Sequence, residues 1–171
     1  MPTVLGLTNK SAGPGSGPHV SSSTTMGSNA RLDTISKRNY ASAREMETLL
    51  WRALCDEPET LKEYLAHDCI MINPLFAGTG LPLNKDTHPN VVEALQSGGR
   101  RLTGFRFHGD PLVVEVDLMA VALVYKISVF RHSRKGIREI VASASSTWRQ
   151  TAGADWLLVA LHVAYADDEE G

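Results

Sequence analysis

Cysteine is nearly absent: Cys55 and Cys69 are the two thiols in 171 residues. They lie well apart, with no second pair at metal-ligand spacing. That excludes a disulfide framework and a cysteine-rich zinc site, and both read as free, buried thiols of a reducing compartment. Aromatic residues are also scarce, at 6%, and 17 Lys and Arg stand against 19 Asp and Glu. A chain so balanced lacks the basic stripe with interleaved aromatics that nucleic-acid binding needs. No apolar run approaches the roughly 18 residues of a membrane span, and the first residues lack the charged start and apolar stretch of a secretory signal. His88, His108, His132 and His162 are scattered singly, with no carboxylate or second histidine at ligand spacing. The expectation is a cytoplasmic protein with no membrane or nucleic-acid partner, no metal and no cofactor.

What is present divides the chain in three. Residues 1–38 are rich in Gly, Pro, Ser and Thr and poor in apolar groups, so they are expected to be a disordered tail. The tail is Ser-rich and acid-poor like an organelle transit peptide, but it has no apolar face at helical spacing. Order is expected from residue 39 to 167, followed by an acidic end at 168–171. Tyr40, Ala43, Met46, Leu49, Leu50, Ala53 and Leu54 recur at helical spacing, with Arg44, Glu45, Glu47 and Arg52 assigned to the other side. Asp56 reads as the N-cap of a second helix carrying Leu61, Tyr64 and Leu65. Cys69–Asn73 reads as a strand ended by Pro74. A third helix is expected from about Thr87 to the Gly98-Gly99 stop, with Arg100 and Arg101 behind it. Gly78-Thr79-Gly80 is no phosphate loop, because no Gly-Lys-Ser/Thr follows.

From Leu102 the apolar period becomes two. Strands are expected at 102–109, 112–117, 120–132, 140–150 and 156–167, with a charged turn at Arg131–Arg138. Val121, Leu123, Tyr125, Ile127 and Val129 share one face of the longest strand. Trp156–Tyr165 is apolar on both faces apart from His162, so that strand should be central and covered on both sides. Three short helices cover one sheet face. The other is expected to pack against a second copy, giving a homodimer.

Helices, one early strand and a long meander make an α+β plan. Two passages in it resemble the nuclear-transport-factor-2-like superfamily, which includes ketosteroid isomerases, SnoaL-like cyclases and the calcium/calmodulin-dependent kinase association domain. Leu65-Ala66-His67-Asp68-Cys69-Ile70-Met71-Ile72-Asn73-Pro74 is similar to the family's passage from helix two into strand one. Trp148, Gly153 and Trp156-Leu-Leu-Val-Ala-Leu-His162 are similar to its final hairpin. The resemblance implies a cone-shaped, curved antiparallel sheet wrapped around three N-terminal helices, and a dimer through the outer sheet face. It also argues against isomerase chemistry. Asn73 stands where ketosteroid isomerases carry the aspartate base, and Leu50 falls at the position of their oxyanion tyrosine.

The functional reading is a small-molecule-binding domain with a mostly apolar pocket and no complete catalytic set. Asn73, Met71, Tyr125, Ser145 and His162 are its candidate ligand contacts. His162 doubles as the candidate acid/base. Ser143, Ser145 and Thr147 form a small polar stripe, Asp68 reads as a turn carboxylate, and Trp51 lies off the first helix's stripe. The alternatives are a SnoaL-like isomerase, cyclase or dehydratase on a hydrophobic metabolite, or an oligomerisation or adaptor module.

Overall fold

A computed structural model describes residues 23–76, 80–97 and 102–166. The expectations for the first 22 residues, the Gly78-Thr79 pair, Gly98 to Arg101 and the acidic end fall outside the described residues. The elements run α1 (Ser23–Asp56), a 3-10 segment (Pro58–Glu63), β1 (Leu65–Ile72), α2 (Val91–Ser97), β2 (Leu102–Phe107), β3 (Leu112–Asp117), β4 (Ala120–Ser133), β5 (Gly136–Gln150) and β6 (Trp156–Tyr165).

The helical part departs from expectation at both ends. Helix α1 begins at Ser23, so residues 23–38, expected in a disordered tail, are helical. At its other end it takes in Asp56, expected to cap a second helix. That second helix is a single 3-10 segment whose N-cap, Glu57, makes no side-chain cap. Pro58 at its start explains the break, since proline has no N–H to continue the ladder from α1. Helix α2 is started by a reciprocal pair: Asn90 Oδ1 accepts the Glu93 N–H and Glu93 Oε2 accepts the Asn90 N–H, each at 3.0 Å.

The sheet orders its strands β1-β6-β5-β4-β2, with β3 also on β4. Strands β2 and β3 share one edge of β4, β2 against residues 127–131 and β3 against residues 120–124. Strands β4 and β5 pair from Ala120↔Arg149 to Ser133↔Gly136, and Gly136 takes φ +116 in that turn, a conformation that favours glycine. Strand β6 lies inside the sheet between β1 and β5, but only one of its faces is buried, where both were expected to be covered. Its partner β1 runs parallel to it, Met71 beside Leu161, so the sheet is mixed rather than antiparallel. The cause is topological: β1 and β6 are separated by the whole meander, and a long crossover is what permits parallel pairing. Strand β1 starts at Leu65, four residues before the expected Cys69, through a register shift between Leu65 and Ile70.

The core lies between α1 and one face of this sheet. Ala43, Leu50, Trp51 and Leu54 from the helix meet Val121, Leu123, Ile127, Val129, Ala142, Trp148, Leu158 and Leu161, all essentially buried. The inward parity of Val121, Leu123, Tyr125, Ile127 and Val129 matches the sequence reading. No described helix is long and apolar enough to cross a membrane.

Candidate functional site

Helix geometry places residues 43, 47, 50, 51 and 54 on one face. Glu47 therefore sits inside the apolar stripe of α1 and is fully buried against the sheet. Three groups donate to its carboxylate. The Tyr125 hydroxyl from β4 donates to Oε1, and the Ser146 hydroxyl and Trp148 indole from β5 donate to Oε2, the indole at 2.6 Å. Trp51, one helical turn beyond Glu47, donates its indole N–H to the Tyr125 hydroxyl at 2.7 Å. An aromatic chain continues outward, Tyr125 to Phe107 at 5.1 Å and Phe107 to Phe105 at 5.5 Å, both edge-on.

Burial pushes the Glu47 carboxyl up, against the pull of its hydrogen bonds from Ser146, Tyr125 and Trp148. Burial, then the neighbouring Glu47, holds Tyr125 protonated well above the usual tyrosine range. A shifted carboxyl beside a tyrosine has the composition of an acid–base site. Its geometry is that of a bolt. The carboxylate is closed off by protein donors and fastens α1 to β4 and β5.

The sequence-predicted contacts divide between the two sheet faces. Met71 and Asn73 are buried, with Met71 held by backbone bonds to Leu83. Tyr125 is buried in the Glu47 network. Asn73 Oδ1 accepts the Leu75 N–H at 3.1 Å, while its Nδ2 is buried without a hydrogen-bond partner among the described residues. Ser145 and His162 are corrections. They pair with each other on the opposite face and are exposed, so neither points into the space between helix and sheet. Ser146, the next residue, is the one that turns inward. Among the described residues no carboxylate or tyrosine hydrogen-bonds to His162, and Glu47 lies on the other face of the sheet. Asp68 is held below the usual carboxylate range, chiefly by hydrogen bonds from Arg149, at 2.8 Å.

Strand register assembles the outer face row by row. Leu112, Val124, Ser145, His162 and Ile72 lie side by side across β3, β4, β5, β6 and β1. Val114, Ala122, Thr147, Ala160 and Ile70 form the adjacent row. Leu112 is 70% exposed, Val114 55%, Ile70 50% and Val124 48%. Valine, leucine, isoleucine and alanine make up most of the two rows, with Ser145, Thr147 and the exposed His162 the polar members. Exposed Lys126 and the Arg149–Asp68 ion pair lie beyond these rows.

No protein-family model and no curated protein sequence matches the chain. Solved structures do. An NTF2-like protein from Rhodospirillum rubrum superposes with a TM-score of 0.57 at 24% identity, over 71% of this chain and 95% of that one. The association domain of CaMKII from C. elegans gives 0.60 at 18% identity, over 77% of this chain and 98% of that one. An NTF2-like protein with a cystatin-like fold from Novosphingobium aromaticivorans gives 0.59 at 17% identity, over 89% and 95%. The chain has the NTF2-like fold. At these identities the likeness speaks for the fold, and activity has to be argued from the residues.

Proposed function

We propose that the chain is a self-associating module in which two copies pack sheet against sheet. The observation that carries this reading is the pair of five-strand rows, apolar or small almost throughout, with charge kept beyond them. Apolar area gathered within the rows and charge kept to the rim is the arrangement of an interface. Five strands about 4.8 Å apart give the face a width of about 20 Å. Likeness in fold to an association domain supports the same reading.

A second reading, small-molecule binding between helix and sheet, is favoured by the buried Asn73 Nδ2, a donor that a ligand acceptor would satisfy. Native mass spectrometry of the purified chain reads both. The expected result is a dimer at micromolar concentration, converted to a monomer with unchanged far-ultraviolet dichroism by Val124→Glu. A wild-type chain that stays monomeric overturns the association reading. A mass excess that survives desalting supports the ligand reading, and a bare polypeptide mass opposes it.

A further inference from the structure

A cleft of about 240 Å³ lies on the far side of β1, away from Glu47 and from the two rows. Leu65, Ala66, His67 and Cys69 of β1 form one wall, and Lys85, Asn90 and the first two residues of α2, Val91 and Val92, close it. Its chemistry is uneven. Leu65, Val91 and Val92 make one part apolar. On the polar part, Lys85 Nζ lies 3.2 Å from His67 Nε2, and no carboxylate pairs with this ammonium among the described residues. The Asn90 oxygen is committed to the Glu93 N–H, which leaves the amide N–H2 to offer a ligand.

An ammonium donating to an imidazole is a weak use of a full charge. An anion seated beside the pair, within reach of both, would accept from Lys85 and from His67 Nε2–H together, a charge-assisted contact. The volume is below the roughly 300 Å³ where drug-sized sites begin, so the occupant is small. Cys69 contributes a wall and no reactivity, because burial pushes its thiol up to about 12 and keeps it protonated.

We propose that the cleft between β1 and α2 binds a small amphiphilic carboxylate, its carboxylate on Lys85 and His67 and its hydrocarbon part on Leu65, Val91 and Val92. The probe is hexanoate, followed by methyl resonances of the full chain. Saturable shifts at Val91, Val92 and Leu65 are expected, with affinity falling about tenfold or more in Lys85→Met and for neutral hexan-1-ol, the loss of one charge-assisted contact. Lys85 is exposed, so the variant should fold, and an unchanged spectrum away from the cleft checks that it does. The proposal is overturned by shifts that fail to saturate, or by equal affinity in Lys85→Met or for the alcohol. Dimerisation is read independently, since the cleft lies away from the outer rows.

Discussion

The two faces of one sheet follow opposite rules. The inner face is apolar and closes around one fully buried carboxylate, whose donors come from three different positions on two strands. The outer face carries its polar groups, Ser145, Thr147 and His162, in the open, interleaved with valine, alanine, leucine and isoleucine. A polar group inside must be satisfied or it costs the fold its desolvation. A polar group outside is satisfied by water and costs nothing. The inner face is thus specific and the outer face permissive, which leaves the outer face available for a partner.

The largest test of that contrast is Glu47→Ala. It strips the acceptor from Tyr125, Ser146 and Trp148 at once, and each orphaned buried donor costs about 1–3 kcal/mol. Part of this is offset by removing a carboxyl whose charged form burial disfavours. A net loss on the order of 4 kcal/mol in denaturant unfolding is expected. A loss below about 1 kcal/mol would place Glu47 among ordinary surface acids.

A smaller effect comes from pH. Burial raises the Glu47 pKa above its ordinary value of 4.5, so the folded chain holds this proton more tightly than the unfolded chain. The stabilisation belongs to the protonated form. It is present in full below the ordinary glutamate range and is lost as pH rises through the raised folded value. Asp68 and Glu139 are shifted downward and act in the opposite sense, so the diagnostic is a difference between two curves. Glu47→Gln should flatten the decline in unfolding free energy above pH 4.5 relative to wild type. Parallel curves would mean that Glu47 titrates alike in both states.

How much of this was legible in the sequence depends on which residues one asks about. Strand β3 was readable to the residue, and the inward parity of β4 followed from simple alternation. The fold itself was carried by the β1 passage and the final hairpin. Glu47 reads as a solvent-side residue because charged side chains more often face water, yet its signal is present: Ala43, Glu47 and Trp51 are spaced four apart on one face of the helix. Trp51 reads as off the stripe traced by Tyr40, Ala43, Met46, Leu49, Leu50, Ala53 and Leu54, yet it is fully buried. Ser146 was passed over for Ser145 because a run of Ser, Ala and Thr looks alike on both parities. The parallel β1–β6 pair had no local signal, since pairing partners so distant in sequence are chosen by the whole sheet.

The smallest expected effect completes the contrast from the outer side. His162 was singled out as the one polar group in a doubly apolar strand, which would make its loss costly. Its position on the exposed face says otherwise: His162 lies in register beside Ser145 and Ile72, and its side chain is exposed to solvent. Removing an exposed side chain outside the core changes stability by about 0.5 kcal/mol or less. The measurement belongs in a Val124→Glu background, where self-association cannot add to the unfolding free energy. There, His162→Ala should unfold at nearly the same denaturant midpoint as its parent. A loss comparable to that of Glu47→Ala would show that the outer face holds a buried polar node of its own, and the division between the two faces would fail.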